Sequence, residues 1–271
     1  MTAMPEIQPR NQDLKSLQGL HLWHAPLSSC SQRVRITIEE TGKTYESHLV
    51  RLERDEHASL EYQAIHPKGL VPALVDDGRL FIESIDIIQE IAGAGSRLLA
   101  AAEPDLLALA DNSQADLKLL THEFLFRAHP APTEAQAEAF DTNHRNDWLR
   151  QFKRDFAAGF GRDRIAEAVQ RTAAGLEHLD AHLGDGRPFL SGDEYSLSDI
   201  AWTPNAHRLS LMNWPFERTP HLARWFERVR ARPSFREAIL DWQDDALASR
   251  FADYTAQRIK EGTDVTRFGV T

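Results

Sequence analysis

Pro-Leu-Ser-Ser-Cys-Ser-Gln-Arg-Val-Arg, at residues 26–35, is the stretch on which the predicted fold depends. It follows an alternating run, Leu20–His24, which is typical of a β-strand. Ser29 is followed three residues later by Gln32, which fits a helix capping box, and Ser28 could cap the helix instead. The stretch therefore predicts a strand, a tight turn rich in hydroxyl and thiol groups, and the start of a helix.

The amino end of this predicted helix is a candidate site for an anion. Backbone N–H groups in a first helical turn lack intrahelical partners and carry partial positive charge. A neighbouring hydroxyl can donate a hydrogen bond to a thiolate and so favour loss of the thiol proton at neutral pH. The same pattern also fits an ordinary cap without a ligand, and the spacing does not distinguish the two.

Further along the chain, strand and helix signals alternate. Tyr45–Val50 predicts a second strand, and Asp77-Gly78 lies between two apolar runs, as in a type I′ hairpin. A helix is expected to begin near Ser84. The predicted order is βαβ, a helix, ββ and a helix, which is the thioredoxin-like order. The chain has no Cys-x-x-Cys pair, so dithiol redox chemistry is excluded.

Three motifs in this order are similar to those of a known family. They are Ser-Ser-Cys-Ser-x-Arg-Val-Arg at 28–35, Val-Pro-Ala-Leu at 71–74 and Glu-Ser-x-x-Ile at 83–87. Together they resemble the glutathione-binding domain of cytosolic glutathione S-transferases, and the zeta-like and bacterial aryl-etherase-like branches are the most similar. With the helical second half of the chain, the resemblance covers about residues 18–245.

The resemblance implies the glutathione S-transferase fold, with an α/β thioredoxin-like N-terminal domain followed by an all-α C-terminal helical domain. The boundaries that we expect are 18–96 for the glutathione-binding domain, 104–245 for the substrate domain, and 1–17 and 246–271 for terminal extensions. A homodimer is implied by the resemblance as well.

The composition excludes several classes of function. A net charge of −10 over 271 residues argues against nucleic-acid binding, because phosphate contacts need a basic surface. No apolar run approaches the roughly 18–20 residues of a membrane span, and Met1–Leu17 lacks the apolar core of a signal peptide. A single cysteine fits a reducing compartment. We therefore expect a cytoplasmic protein that binds neither nucleic acid nor a membrane.

The resemblance also implies roles for individual residues. Ser28 is the expected hydroxyl partner of the glutathione sulfur, with Ser29 second and Cys30 third. The residues expected to bind the rest of glutathione are Lys68, Leu70, Val71, Pro72, Glu83 and Ser84.

At and before Val71-Pro72, the resemblance differs from what the sequence alone predicts, and the sequence departs from the family pattern. The resemblance implies a cis Val71-Pro72 bond whose Val71 backbone pairs with the cysteinyl part of glutathione, whereas the sequence alone favours a trans edge-strand proline. The family often has an asparagine and a polar residue at the positions of His66 and Leu70. Lys68 is a candidate to compensate for that departure.

After Gly95 the pattern changes to long helices. Residues with helical spacing from Leu106 to Leu125 predict one amphipathic helix. An aromatic stripe with four-residue spacing is expected to be buried as one cluster, and its members are Trp148, Phe152, Phe156 and Phe160. Capping boxes are predicted at Thr133-x-x-Gln136 and at Ser196-x-x-Asp199, where Asp199 is assigned to folding and not to catalysis.

The electrophilic substrate is expected in a cleft between the two domains, since ligand sites commonly form there. The residues that we expect to line it are Leu27, Phe124, Trp202, Asn205 and Arg208. No metal is expected. His178 and His182 lie one helical turn apart, but the sequence offers them no evident third ligand.

The predicted function is glutathione transfer, in which the thiolate of glutathione attacks a hydrophobic electrophile. Aryl ether cleavage with glutathione is one form of this chemistry, and isomerisation is less favoured because Leu211 stands where zeta-type enzymes would have an arginine. A thiol transferase or glutathione lyase would use Cys30 as the nucleophile. The alternative from another class is a protein that binds glutathione without turnover.

Overall fold

A four-stranded mixed sheet lies in the N-terminal part of the computed structural model, which describes residues 6–269. The strands are β1 (Leu20–His24), β2 (Tyr45–Leu49), β3 (Ala73–Asp76) and β4 (Arg79–Phe81). Their order is β2-β1-β3-β4, so β2 and β4 form the edges. β1 is parallel to β2 and antiparallel to β3, which is antiparallel to β4. The predicted thioredoxin-like fold is confirmed.

Both faces of this sheet carry buried residues. The helices that accompany it are α1 (Ser29–Thr41), α2 (Leu60–Ile65) and α3 (Ser84–Ala92). Ala73 and Val75 belong to a buried cluster with Tyr62 and Ile65. Because side chains alternate along a strand, Leu74 points to the opposite face, where it is fully buried.

The turn between β3 and β4 has the predicted geometry. Asp77 has a φ of 47° and Gly78 a φ of 80°, and a type I′ turn requires positive φ at both positions. The Asp77 carboxylate also accepts a hydrogen bond from Gly19 N at 2.7 Å. The turn is therefore anchored to the residue that precedes β1.

The rest of the chain is helical. The helices are α4 (Arg97–Ala100), α5 (Pro104–Asn112), α6 (Gln114–Phe124), α7 (Glu134–Asn143), α8 (Asp147–Ala158), α9 (Arg162–His182), α10 (Leu197–Leu211), α11 (Pro220–Arg230), α12 (Pro233–Ala238) and α13 (Asp245–Glu261). None of the helices in the described part combines the length and apolar character needed to cross a bilayer.

The single helix predicted from Leu106 is interrupted at Ser113, so α5 and α6 are separate elements. The Ser113 hydroxyl donates to the carbonyl oxygen of Ala110 at 2.8 Å. Such a bond competes with the regular hydrogen-bond ladder and tends to bend a helix.

The chain divides into two compact units. The first comprises residues up to Ala94 together with Pro132–Asp155, and the second comprises Gly95–Ala131 and the residues from Phe156 onward. The stretch Pro132–Asp155, which lies inside the helical domain expected from the sequence, thus packs with the sheet-containing unit. We refer to it as the excursion.

Gln63 of α2 holds the excursion in place. Its buried amide nitrogen donates to the carbonyl oxygens of Ala58 at 2.7 Å and Asn143 at 2.9 Å, and its oxygen accepts from Arg145 N at 2.9 Å. Two of these bonds cross about eighty residues of sequence, which explains why no local pattern predicts the docking of this stretch.

In the second unit, α10 is almost entirely buried and begins with the predicted capping box. The Asp199 carboxylate accepts hydrogen bonds from Leu190 N at 2.8 Å, Ser196 N at 2.9 Å and the indole N–H of Trp225 at 2.7 Å. The residue therefore joins α10 to the preceding loop and to α11, as its assignment to folding predicts.

The C-terminal extension packs on the same unit. Arg258 of α13 donates to a Glu123 carboxylate oxygen at 3.0 Å and to the Thr263 carbonyl oxygen at 2.6 Å. Phe268 meets Phe124 edge-on, with 5.6 Å between ring centroids. The path of this extension was not predictable from the sequence.

Candidate functional site

Ser28 caps α1 and resolves the alternative left open by the sequence. Its hydroxyl oxygen accepts from Ser31 N at 3.2 Å, and its carbonyl oxygen accepts from Gln32 N at 2.8 Å. Ser29 is instead the first helical residue, and it is partly buried, as Cys30 is. Within residues 6–269, the hydroxyl hydrogen of Ser28 has no acceptor, so it is available to an external anion.

The turn before Ser28 is stabilised by hydrogen bonds from Arg35, which is fully buried. Its guanidinium donates to the carbonyl oxygens of Ala25 at 3.2 Å and Pro26 at 2.8 Å, and to His24 Nδ1 at 3.0 Å. Burial lowers the pKa of Arg35 to about 10. The guanidinium therefore remains charged at neutral pH and fixes the backbone that presents the cap.

His24 completes this network in its neutral form. Burial, with the Arg35 charge next in importance, lowers the pKa of His24 to about 3. Because Nδ1 accepts from Arg35, the ring proton lies on Nε2, which donates to the Ser47 hydroxyl oxygen at 2.8 Å. The last residue of β1 is thereby bound to both α1 and β2.

The loop before β3 is the second part of the site. The Val71-Pro72 bond is cis, as the resemblance implies. The Tyr62 hydroxyl donates to the carbonyl oxygen of Leu70 at 2.6 Å, and His66 Nδ1 accepts from the N–H of Lys68 at 3.2 Å. Burial lowers the pKa of His66 to about 4, so this acceptor nitrogen is unprotonated at neutral pH.

The excursion clamps the same loop. His144 Nε2 donates to the carbonyl oxygen of Gly69 at 3.0 Å, and the Asn146 amide donates to the carbonyl oxygen of Lys68 at 3.2 Å. Gly69 has a φ of +58°, and a Cβ there would lie 2.6 Å from His144 Nε2 and 2.9 Å from the His57 carbonyl oxygen. A residue larger than glycine does not fit between these groups.

The structure pairs two of the predicted glutathione-binding residues with each other and a third with Arg33, which was not predicted. Lys68 forms an ion pair with Glu83 at 2.5 Å, and both side chains are about half exposed. The Ser84 hydroxyl accepts from the guanidinium of Arg33 at 3.1 Å, and both residues are buried. Arg33 therefore places a positive charge behind a hydroxyl at the amino end of α3, which is an arrangement suited to a carboxylate.

Four of the five residues predicted to line the substrate cleft take part in packing of the second unit. Phe124 is covered by the Phe268 ring and by the Arg258 guanidinium, which lies 4.7 Å from the ring centroid. The indole N–H of Trp202 donates to the carbonyl oxygen of Leu106 at 3.0 Å. Their role towards a substrate stays a prediction.

Asn205 and Arg208 are buried on the same helix, α10. Asn205 accepts from the Gln114 amide and donates to the Ser113 hydroxyl oxygen, each at 2.8 Å. Burial lowers the pKa of Arg208 to about 10. Leu27, in the first unit, is partly buried beside Ser28.

Trp202 and Asn205 also border a cavity of about 180 Å³ inside the second unit, together with Leu109, Leu117 and Leu209. Typical ligand pockets have volumes of about 300–1,000 Å³. This cavity is therefore too small to serve as the site of a bulky aromatic substrate.

The residues that support the predicted ones have no signal in the sequence. Arg33 reaches Ser84 across 51 positions, and His144 reaches Gly69 across 75. Such distant partners leave no periodic or spacing signal. The burial of two arginines on one helix was equally hidden, because arginine usually lies at the surface.

Comparisons with known families identify two segments of the chain. Residues 27–94 match the model of the glutathione S-transferase N-terminal domain, and residues 162–228 match that of the glutathione S-transferase C-terminal domain. The first match spans the capped turn, the cis proline and Ser84. The second spans α9, α10 and most of α11.

Curated proteins similar to the chain include a tetrachloro-p-hydroquinone reductive dehalogenase from Sphingobium chlorophenolicum. It is 29% identical over 235 residues, which represent 80% of this chain and 94% of that protein. Glutathione S-transferase TCHQD from Arabidopsis thaliana is 26% identical over 251 residues, with 81% and 89% of the two chains covered.

Among solved structures, the β-etherase LigF from Sphingobium sp. strain SYK-6 superposes with a TM-score of 0.68. The identity is 23%, and the match covers 81% of this chain and 98% of the etherase. At this identity the likeness concerns the fold.

Proposed function

We propose, starting from the fact that this chain belongs to the glutathione S-transferase superfamily, that it activates the glutathione thiol for attack on a hydrophobic electrophile. The observation that supports this best is the position of Ser28, whose hydroxyl caps α1 and retains a hydrogen to donate. A sulfur placed there would receive that hydrogen bond together with the partial positive charge of the helix end.

The chemistry requires a shift in the thiol equilibrium. A free thiol has a pKa of about 8.5, so only a few per cent is ionised at pH 7. Each pKa unit of depression favours the thiolate by about 1.4 kcal/mol, or tenfold. The thiol proton passes to solvent, the thiolate electron pair forms the new carbon–sulfur bond, and the bond to the leaving group breaks with its electron pair on that group.

The rest of glutathione is assigned to the second and third parts of the site. Ser84, backed by Arg33, is proposed to bind the γ-glutamyl carboxylate, and Glu83 its ammonium group. Lys68 then contributes positive charge on the same side, since it already contacts Glu83. The backbone of Val71 is proposed to pair with the cysteinyl part.

Aromatic electrophiles are the substrate class that we propose, with displacement of a halide or of an ether oxygen. The support is the likeness to a protein named for a chlorinated hydroquinone, of which this chain covers 94%. With an aryl halide the thiolate would attack the aromatic carbon and displace the halide. With an alkyl aryl ether it would attack the alkyl carbon bonded to the ether oxygen, and the phenolate would leave with the electron pair of that bond.

Three variants of the purified full-length chain test the activation step. Ser28→Ala, Ser29→Ala and Cys30→Ala are compared in glutathione conjugation to an aryl halide and in phenol release from an aryl ether. Ser28→Ala is expected to lower kcat/KM at pH 7 by about tenfold or more and to shift its pH profile towards the free thiol value.

The other two variants serve as controls and as tests of the alternatives. If Cys30→Ala alone abolished turnover, Cys30 would be the nucleophile of a thiol transferase or lyase and the serine assignment would be wrong. If Ser29→Ala alone lost turnover, the hydroxyl that contacts the glutathione sulfur would be that of Ser29 and not that of Ser28. If the wild type bound glutathione without turning over either class of substrate, the proposed reaction would be refuted.

The proposal extends to a cytoplasmic homodimer, as in the family that the chain belongs to. The single cysteine and the net charge of −10 are compatible with a reducing compartment and a soluble assembly. Sedimentation equilibrium with purified protein would test the dimer, and a monomer mass throughout the concentration range would contradict it.

A further inference from the structure

Three side chains on adjacent strands of the first unit direct their ligating atoms to one point. His21 of β1 lies opposite Glu46 of β2 in the parallel register, and His48 follows two residues further along β2. Alternation along the strand places Glu46 and His48 on the same face. One ligating atom from each of the three residues lies within 4.8 Å of the other two.

The distances between these atoms fit a bound cation. His21 Nδ1 lies 3.1 Å from His48 Nε2 and 3.5 Å from a Glu46 carboxylate oxygen, and His48 Nε2 lies 3.7 Å from the other Glu46 oxygen. Ligands placed about 2.0–2.1 Å from a tetrahedral zinc ion are about 3.3–3.4 Å apart. The two separations from His21 Nδ1, 3.1 and 3.5 Å, bracket that value, and each imidazole nitrogen lies within 3.7 Å of one of the two Glu46 carboxylate oxygens.

The hydrogen bond between His21 and Gln18 favours the tautomer of His21 that metal binding needs. Its Nε2 lies 3.2 Å from the carbonyl oxygen of Gln18, which can only accept, so Nε2 carries the hydrogen and the lone pair of Nδ1 faces the other two ligands. A backbone carbonyl that orients a histidine in this way is the usual support of a metal-binding imidazole. The His48 ring needs only a change of tautomer to direct a second lone pair to the same point.

The two histidines of the cluster are held by their neighbours, whereas the glutamate is exposed to solvent. His21 is buried and the His48 ring stacks on the Trp23 indole, with 4.3 Å between centroids and 12° between planes. Glu46 has a side chain that is 65% exposed, and its strand is an edge of the sheet. A cation can therefore enter from solvent and keep a water ligand on that side.

We propose that His21, Glu46 and His48 form a binding site for a divalent first-row transition cation, with zinc as the reference ion. Two imidazoles and one carboxylate are a ligand set that suits zinc and its neighbours. The ion links β1 to the edge strand β2 through the second residue of each strand and the fourth residue of β2, whereas Ser28 lies beyond the end of β1. It is therefore a structural site, separate from the proposed glutathione site.

The sequence alone predicts no metal, because the three residues of this cluster come together only in the fold. His21 and His48 are 27 positions apart and belong to different strands, so they form none of the short spacings that mark zinc sites. The histidine pair that does have such a spacing, His178 and His182, provides the matched control.

The test uses chelator-treated full-length protein titrated with ZnCl2 in a calorimeter, with Glu46→Gln, His48→Gln and His178→Gln in parallel. One zinc ion per chain is expected for the wild type and for His178→Gln. Glu46→Gln and His48→Gln are each expected to lose at least tenfold in affinity. Because Glu46 is exposed, its replacement should leave the fold and the glutathione transfer rate unchanged.

A second readout reports on the location of the ion. Copper(II) bound at His48 should quench the emission of the stacked Trp23, and Trp23→Phe should remove that part of the signal without removing a ligand. The proposal is refuted if the wild type binds no zinc, if Glu46→Gln and His48→Gln bind it as tightly as the wild type, or if His178→Gln abolishes binding. None of these outcomes bears on whether glutathione is a substrate.

Discussion

Replacing Arg35 by methionine should weaken both the fold and the proposed glutathione site. The side chain is fully buried and donates to the carbonyl oxygens of Ala25 and Pro26 and to His24 Nδ1. Methionine keeps the apolar stem but none of these donors. The turn that presents Ser28 would then lose the bonds that fix it.

The size of the effect follows from two opposing contributions. Hydrogen bonds from a charged donor contribute about 1.5–3 kcal/mol each, and three are lost. The second contribution has the opposite sign. Burial lowers the pKa of Arg35 from its ordinary value to about 10, so the buried charge costs about 3 kcal/mol at 1.36 kcal/mol per pKa unit, and methionine removes this cost. The expected net loss in the free energy of unfolding is about 1.5–6 kcal/mol.

Guanidinium denaturation would measure the loss, and calorimetry with glutathione would measure the effect on the site. Arg35→Lys keeps the charge without the planar fork, so it should fall between the wild type and Arg35→Met. Arg97→Met is the matched control, because the Arg97 side chain is 90% exposed and should change stability by no more than about 0.5 kcal/mol. If Arg35→Met matched the wild type in both assays, the proposed role of Arg35 would be wrong.

Three further predictions concern buried polar groups. Asp199→Asn should lower the free energy of unfolding by about 2–4 kcal/mol, because the asparagine NH2 group would face N–H donors such as that of Trp225. Urea denaturation measures this loss, and an unchanged urea midpoint would contradict the prediction. Gln32→Met should raise the free energy of unfolding by about 1 kcal/mol, because the fully buried Gln32 amide has no hydrogen-bond partner among the described residues. A Tm lower than that of the wild type would contradict this prediction. His66, with a folded pKa of about 4 and an unfolded value of 6.5, adds stability that is present above pH 6.5 and is lost as the pH falls towards 4, at about 1.4 kcal/mol per unit. His66→Asn should show a correspondingly flatter pH dependence of stability, and an equal slope in both proteins would refute the assignment.

The elements that the sequence predicts well are those with local causes. A hydroxyl or carboxylate three residues from its partner defines the capping boxes at Thr133 and Ser196, and both are present. Asp77-Gly78 predicts its turn because few residue pairs accept positive φ at both positions. Similarly, the resemblance to a family correctly implied the cis bond before Pro72.

The predictions that differ from the structure depend on distant contacts. The aromatic stripe was expected to bury as one cluster, but Trp148 is 51% exposed and stacks on Phe152, whereas Phe156 and Phe160 belong to the second unit. Four-residue spacing shows which side chains share a helix face, but it does not show which neighbour covers them. For the same reason, neither the buried arginines of α1 nor the juxtaposition of His21, Glu46 and His48 could be predicted from the sequence.

The docking of the excursion on the first unit has a consequence for how the chain folds during synthesis. The carbonyl of Gly69 and the amide of Gln63 find their partners in residues 143–146, which leave the ribosome long after the sheet has been made. Domains generally fold as units during synthesis, from the N-terminus onward. A fragment truncated at Ala94 should therefore remain incompletely folded, and the nascent chain should acquire protease resistance in this region only after Asn146 has emerged.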